Sequence, residues 1–209
     1  MEQTGQAYSS DVAFTASVKA VQERKGSRAA YARVEQGGSW ATRVTAELAA
    51  FIAAQTSLFL ATASAAGQPY VQHRGGPPGF LRVVDETTLG FVDFVGNKQF
   101  ISLGNLAEND KAQLFLIDYA SRRRIKIWGR VEVIEGDEKL TAALMPPNYR
   151  AKPSQLILFK VSAWDANCPQ HIPLKIDAAD VNAALAQRDA RILALEEEVA
   201  ALRATAPTR

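Results

Sequence analysis

Apolar and polar residues alternate along seven short segments of this chain, which is the pattern of strands with one buried face. Few stretches of helical periodicity separate these segments, and no Gly-x-Gly-x-x-Gly motif follows any of them. The pattern therefore predicts a mainly β (α+β) protein with an antiparallel barrel, and it argues against a doubly wound parallel sheet. The predicted strands cover residues 57–64, 69–74, 80–84, 88–94, 111–118, 123–135 and 155–164.

The predicted strand at residues 123–135 is much longer than the others. A strand of this length usually crosses a barrel or curls around it. Gly129 lies in its middle, where a residue without a side chain permits a bend. We therefore expect this strand to change direction near Gly129.

Two helices are predicted before the first strand. Residues 11–25 have a partial apolar face, with Ser10 or Asp11 as the N-cap and Gly26 as the stop signal. Residues 42–55 place apolar side chains at helical spacing and form the stronger prediction. A further short helix is predicted after the strand that ends at Phe94.

The C-terminal segment from Asp177 to Arg203 carries apolar residues at spacings of three and four, interrupted at Arg188. Such a stripe is typical of a coiled-coil seam between two copies. It is equally typical of an amphipathic helix lying on its own barrel, and both interpretations stay open. The chain thus divides into an N-terminal helical arm, a barrel and a C-terminal helix, at residues 1–41, 42–176 and 177–209.

Composition narrows the class of protein. The 209 residues are 47% hydrophobic and 22% charged, as in a globular protein. The net charge of +2 is scattered apart from the cluster at residues 122–124, so we expect no nucleic-acid partner. The single Cys168 excludes an internal disulfide. No apolar run reaches about 18 residues, and the first residues lack leader features, so we predict a cytoplasmic protein without a membrane partner.

The segment Gly96-Asn97-Lys98-Gln99 joins a predicted strand to a predicted short helix. Free backbone N–H groups and the positive end of the helix dipole favour an anion at such a junction, and Lys98 adds a full charge. The segment therefore predicts a phosphate site. Glycine and asparagine also occur in such turns for backbone reasons alone, with a solvated lysine beside them.

A second unusual segment, residues 165–173, follows the last strand. It holds Cys168 and His171, the latter one of only two histidines, beside Asn167 and Gln170. A metal site needs more ligands than one cysteine and one histidine, so no metal site is predicted. A Cys–His catalytic pair is not predicted either, because no third group is present to orient the histidine. The simplest interpretation is a structured loop that closes the barrel.

Several short motifs occur in an order that resembles the pyridoxamine-phosphate oxidase superfamily of FMN-binding split barrels. The resemblance covers roughly residues 45–175. Each motif is degenerate alone, and the ordered set carries the resemblance. The motifs are Gly67-Gln68-Pro69-Tyr70, Arg74, the GFVDF strand, Gly96-Asn97-Lys98, Asn109-Asp110, and Arg124 ahead of the strand containing Gly129.

The resemblance implies that FMN is the cofactor and that a homodimer forms with flavin sites at the subunit interface. Residues 72–76 would run beside the flavin ring, with Arg74 reaching the phosphate and two glycines allowing close approach of the ring. Gly96-Asn97-Lys98 would match the phosphate turn of the family, although Asn97 replaces an arginine. The residues implied to contact FMN in these segments are Gln72, His73, Arg74, Gly75, Gly76, Val92, Asp93, Asn97, Lys98 and Gln99.

The resemblance also implies contacts to the flavin ring from elsewhere in the chain. Arg124 would lie close to the ring. The loop after the last strand would cross to the partner subunit, with Asn167, Gln170 or His171 bonding to the polar edge of the ring and Cys168 packing near it.

The chain departs from true pyridoxamine-phosphate oxidases at its C-terminus. Those enzymes end in a segment that binds the substrate and contains a Trp and an Arg-Leu-His stretch, whereas this chain ends in a helical segment. We therefore expect an FMN-dependent oxidoreductase that acts on another small molecule, with Arg124 and His73 as candidates to hold an anionic or carbonyl substrate. No catalytic residue is assigned. The alternatives are a flavin-binding or flavin-sensing protein without turnover, and a split barrel that uses a deazaflavin or haem.

Overall fold

The computed structural model describes residues 8–167 and 169–205, which divide into two compact units. The first unit contains residues 8–118 and 123–167 together with Pro169. The second contains residues 119–122 and the described residues from 170 onward. The β-sheet and the N-terminal helices therefore belong to one unit, and the long C-terminal helix belongs to the other.

Seven strands form one antiparallel sheet in the order β2-β1-β5-β6-β7-β4-β3. The edge strands β2 and β3 do not pair with each other in the described part of the chain, so the sheet stays open. This arrangement confirms the predicted mainly β, α+β split-barrel fold. The strands are β1 (Ser57–Ala63), β2 (Pro69–Gly75), β3 (Arg82–Asp85), β4 (Thr88–Phe94), β5 (Lys111–Asp118), β6 (Arg123–Ile134) and β7 (Pro153–Asn167).

The inward faces of these strands build one hydrophobic core, because alternate residues of a strand point to opposite faces. β1, β5 and β6 contribute fully buried side chains at every second position, and β4 is buried along nearly its whole length. The largest fully buried side chains of the core include Phe80, Phe91, Phe159, Leu58, Leu60, Leu114 and Leu116.

β6 and β7 are the longest strands and pair along most of their length. Their register shifts between Trp128 and Gly129, which is a β-bulge at the position where the sequence predicts a bend. A Cβ atom on Gly129 would lie 2.1 Å from the backbone oxygen of Lys160 and 2.4 Å from a ring carbon of Phe159. The bulge therefore brings two backbones together more closely than any side chain would allow.

The helices of the first unit differ in part from the predictions. Residues 9–12 form a short 3-10 turn, and the first α-helix begins later, with Thr15 as its N-cap in place of Ser10 or Asp11. The Asp11 carboxylate instead accepts hydrogen bonds from the Tyr8 backbone and the Lys19 ammonium. The helices are α1 (Ala16–Arg24), α2 (Arg28–Gln36), α3 (Ala46–Ala53), α4 (Ile101–Glu108) and α5 (Glu138–Leu144).

Two of these helices, α2 and α5, were not predicted. α2 buries only Glu35, and α5 is seven residues long and buries only Leu144, so neither shows the apolar stripe that identifies a helix in a sequence. By contrast, α3 lies within the predicted residues 42–55 and buries Leu48, Phe51 and Ile52.

The second unit contains α6 (Ala178–Thr205), a helix of 28 residues. Residues 178–204 are all exposed. Within the described residues, no helix combines the length and apolar content needed to span a membrane.

Candidate functional site

A cleft of about 270 Å³ lies where the end of β2, the end of β4, the start of β7 and the start of α4 meet. The loop between β4 and α4, residues 95–100, forms one wall. The lining residues are Gln72, His73, Arg74, Gly75, Asp93, Phe94, Val95, Gly96, Asn97, Lys98, Gln99, Phe100, Ser102, Leu103, Ser154 and Gln155.

A buried ion pair lies at the base of this cleft. Nε of Arg74 is 2.5 Å from Oδ1 of Asp93, and the two side chains are 16% and 6% exposed. Gln155 on β7 donates its side-chain N–H to Oδ2 of Asp93 at 2.6 Å. Three strands thus supply one polar cluster, in which the Asp93 carboxylate compensates the charge of Arg74.

The register of β2 against β1 explains which β2 side chains take part. Arg74 and Gln72 lie opposite Leu58 and Leu60, whose side chains point into the core. His73 lies opposite Phe59, and its ring packs edge-on against the Phe59 ring with centroids 5.7 Å apart. Since neighbouring residues of a strand point to opposite faces, the His73 ring lies on the other side of β2 from Arg74 and Gln72.

The loop over the cleft has an unusual backbone conformation. Lys98 and Phe100 both adopt left-handed φ angles, 59° and 54°, which residues other than glycine rarely adopt. The backbone N–H of Gln99 donates to the Asn97 side chain at 3.3 Å, forming a local turn. Backbone strain of this kind often marks a ligand-binding segment, because surrounding structure must maintain it.

The start of α4 faces the same cleft through Ser102 and Leu103. Phe100 is the N-cap of this helix and makes no side-chain cap hydrogen bond. The first N–H groups of a helix have no partner inside it, so an uncapped start presents free donors together with the positive end of the dipole. Lys98 is exposed beside this start. The cleft thus combines a cation with backbone donors, as an anion site requires.

Two longer hydrogen bonds to Gln72 connect the other polar side chains of this wall. Oε1 of Gln72 accepts hydrogen bonds from the Tyr70 hydroxyl at 3.1 Å and from the buried Ser102 hydroxyl at 3.4 Å. The hydrogen bond from Ser102 links β2 directly to α4.

The structure brings eight of the predicted site residues to this cleft. They are Gln72, His73, Arg74, Gly75, Asp93, Asn97, Lys98 and Gln99. Their positions along the chain span two strands and a loop, which the open end of the sheet gathers into one wall.

Other predicted site residues do not line the cleft. Val92 is buried with Leu144 and Leu156 in a separate small cluster. A Cβ atom on Gly76 would lie 2.6 Å from the Cβ atom of Phe80, so close packing accounts for glycine there.

Arg124, which is predicted near the flavin ring, also lies outside the cleft. Arg124 is at the start of β6 and pairs in register with Asn167 at the end of β7. Gln170 and His171 are exposed residues of the second unit. Cys168 lies outside the described residues.

Three polar side chains of the cleft were not predicted from the sequence. Gln155 and Ser154 begin β7, and Ser102 lies in the first turn of α4. Isolated amides and hydroxyls carry no pattern that separates site residues from ordinary surface residues. The only feature of the sequence that could have identified Gln155 is its predicted position at the start of the last strand. Among the described residues, no three His, Cys, Asp or Glu side chains converge as a metal site would require.

Sequence comparison supplies the family. The sequence model of the family described as pyridoxamine 5'-phosphate oxidase matches residues 44–168, more than half of the chain. The chain belongs to this family. The matched region contains the whole sheet and the cleft, so the predicted superfamily is confirmed. No curated protein matches the chain.

Several solved structures are similar to this member of the pyridoxamine 5'-phosphate oxidase family. A putative pyridoxamine 5'-phosphate oxidase from Lactobacillus delbrueckii is 21% identical, with a TM-score of 0.46, over 60% of this chain and 95% of that one. HupZ from Group A Streptococcus is 19% identical, with a TM-score of 0.45, over 64% and 99%. An FMN-binding protein from Syntrophomonas wolfei is 11% identical, with a TM-score of 0.45, over 70% and 97%.

Proposed function

We propose that the cleft binds FMN and that the protein is an FMN-dependent oxidoreductase acting on a small molecule other than the substrate of pyridoxamine-phosphate oxidases. The observation that carries this proposal is the exposed Lys98 beside the uncapped start of α4, at one end of a cleft whose other wall is the polar end of β2. Membership in the pyridoxamine 5'-phosphate oxidase family supports FMN as the ligand.

The charges of the cleft fit the phosphate of FMN. A phosphate monoester carries about two negative charges near neutral pH. Lys98 supplies one exposed cation, and the start of α4 supplies backbone donors. Arg74 donates one N–H from each of its two Nη nitrogens, to the His73 carbonyl and to Asp93, and its Nε lies in ion-pair contact with the Asp93 carboxylate. A guanidinium has five N–H donors, so Arg74 keeps donors for a phosphate oxygen while Asp93 holds it in place.

Membership in the pyridoxamine 5'-phosphate oxidase family supports a homodimer with flavin sites at the subunit interface. In that family a second subunit completes the flavin site. A second subunit would then cover the rest of the flavin. Arg124 lies outside the cleft of its own chain, as expected for a residue that serves the site of the partner.

When bound, FMN would supply the redox chemistry, while the protein positions the cofactor and excludes water. Lys98 and the start of α4 would hold the phosphate. The buried Arg74–Asp93 pair would keep the wall of the cleft rigid, and the half-buried Gly75 would let the flavin approach the β2 backbone. Arg124 and His73 remain candidates to hold an anionic or carbonyl substrate.

The first experiment is the visible absorption spectrum of freshly purified protein, followed by identification of the chromophore released on heating. We expect a flavin spectrum, release of FMN, and bleaching of the spectrum by a nicotinamide donor under anaerobic conditions. Bound FMN that no nicotinamide or other physiological donor reduces would instead identify a flavin-binding protein without turnover. Protein that fails to bind added FMN but binds a deazaflavin or haem would overturn the proposal.

Lys98→Ala should weaken FMN binding by about 1.5–3 kcal/mol, the usual contribution of a hydrogen bond to a charged group. The dissociation constant, measured by flavin fluorescence quenching, should therefore rise by roughly ten- to a hundredfold. The thermal unfolding midpoint of the FMN-free protein should stay unchanged, because Lys98 is exposed.

Lys139→Ala is the matched control for this experiment. Lys139 is also an exposed lysine, but it lies on α5 and does not line the cleft. Its replacement should leave FMN affinity unchanged. Equal affinity of the Lys98 and Lys139 variants would remove Lys98 from the phosphate site.

A further inference from the structure

The C-terminal helix α6 exposes an apolar stripe along its length. At about 1.5 Å per residue, its 28 residues extend about 42 Å. Several large apolar side chains on one face are between 41% and 51% exposed, although each is of a type normally buried. These residues are Val181, Leu185, Ile192, Leu195 and Val199.

The spacing of the stripe follows a heptad repeat. Counting Leu185, Ile192 and Val199 as a positions makes Val181, Arg188, Leu195 and Leu202 the d positions. β-Branched residues at a combined with leucine at d favour a parallel coiled coil of two strands. Ile192 and Val199 at a, followed by Leu195 and Leu202 at d, match this preference in the C-terminal half of the helix. In a parallel in-register pair the two Arg188 side chains face each other at one d position, which lowers the stability of the seam there.

Charges beside the stripe select the orientation of the two helices. In a parallel pair, a g residue faces the e residue of the next heptad on the other helix. Arg191 at g would then face Glu196 of the second copy, and Glu198 at g would face Arg203 of the second copy. Both contacts join opposite charges, and symmetry makes each contact twice.

An antiparallel pair of the same helices is less favourable. In that orientation e residues face e residues, and pairing Ile192 with Leu195 places Asp189 of one helix against Glu196 of the other. In the same antiparallel pair, Arg191 of one helix faces Glu198 of the other, which gives two attractive contacts. The two like-charge contacts would offset these two attractive contacts. The charge pattern therefore matches the parallel orientation that the a and d residues favour.

We propose that α6 pairs with α6 of a second copy of this chain in a parallel, in-register, two-stranded coiled coil. The occupant of the exposed stripe is thus a second copy, chosen by the complementary charges at g and e and by the side-chain shapes at a and d. This proposal concerns the second unit alone and does not depend on FMN binding. It adopts the coiled-coil interpretation of the two that the sequence leaves open for the C-terminal stripe.

The test is disulfide cross-linking in the full-length Cys168→Ser variant, which removes the native thiol. Arg188→Cys in this background places one thiol at a d position, where residues of the same number face each other only in a parallel in-register pair. We expect a covalent dimer on mild oxidation, reversed by a reducing agent. Ala190→Cys in the same background is the control, because position f lies on the outer face and should remain monomeric on denaturing gels.

Charge reversal then tests the pairing itself. Arg191→Glu added to the Arg188→Cys variant places two glutamates at each contact and should reduce the cross-linked fraction. The further change Glu196→Arg restores opposite charges and should restore cross-linking. Failure of Arg188→Cys to cross-link, or equal cross-linking at Ala190→Cys, would overturn the proposal. Far-UV circular dichroism of each variant separates loss of pairing from loss of the fold.

Discussion

Replacing Gly129 with alanine is expected to destabilise the barrel by about 3 kcal/mol or more, at the upper end of the usual cost of overpacking. The added Cβ atom would meet the backbone oxygen of Lys160 at 2.1 Å and the Phe159 ring at 2.4 Å. The backbone oxygen belongs to the bulged pairing of β6 with β7 and has little room to move. The clash would therefore separate the two longest strands of the sheet. The loss would be measured as a lower urea midpoint of unfolding at unchanged slope.

Gly104→Ala is the matched control for this change. A Cβ atom on Gly104 meets no atom within 4 Å, and Gly104 lies inside α4. Alanine has the higher helix propensity, so this substitution should stabilise the protein by about 0.5–1 kcal/mol. Equal stability of the Gly129 variant and the native protein would show that β6 and β7 can separate at the bulge without cost.

Asp93→Ala is expected to lower the free energy of unfolding by about 3–5 kcal/mol, the usual cost of removing one partner of a buried ion pair. The Arg74 side chain is only 16% exposed and would lose its counter-charge. Gln155 would lose its 2.6 Å hydrogen bond to the same carboxylate. Chemical denaturation of the FMN-free protein measures this loss without any contribution from cofactor binding.

Two comparisons test the cause of this loss. The Arg74→Ala/Asp93→Ala double variant should be less destabilised than the sum of the two single variants, because neither charge is then left alone. Asp110→Ala removes an exposed ion pair with Arg130 and should change stability far less, since solvent screens exposed pairs. Additive effects of the Arg74 and Asp93 substitutions would show that the two side chains do not stabilise each other.

The strands of this chain could be predicted from the sequence because the sheet buries one face of most strands. Leu58 and Leu60 on β1, and Leu114 and Leu116 on β5, recur at every second position and are fully buried. The alternation of apolar residues in the sequence therefore indicated directly which side chains are buried in the fold. The predicted strand at 80–84 began too early, because Phe80 and Leu81 are buried in the bend before β3 rather than within it. α2 escaped prediction since it packs few apolar side chains.

The part of the candidate site that is formed by residues adjacent in the sequence could be predicted. Gly96-Asn97-Lys98-Gln99 is contiguous, and the chemistry of a strand-to-helix junction could be inferred from those residues alone. The ordered motifs identified the superfamily. The sequence could not separate residues that line the cleft from residues that merely lie near them in the chain, as Gly75 and Gly76 show.

The sequence by itself determined the class of fold and the heptad spacing of α6, because each depends on periodicity between residues close together in the chain. The order of its motifs determined the family, and the loop with Lys98 predicted an anion site. Only the tertiary structure decided that Arg74 is paired with Asp93 and that Asp93 also binds Gln155, which lies 62 residues further along. It also decided that the His73 ring packs on the opposite face of β2 from Arg74. The physical reason is that strand order and register bring distant side chains together, and no local pattern encodes which strands become neighbours.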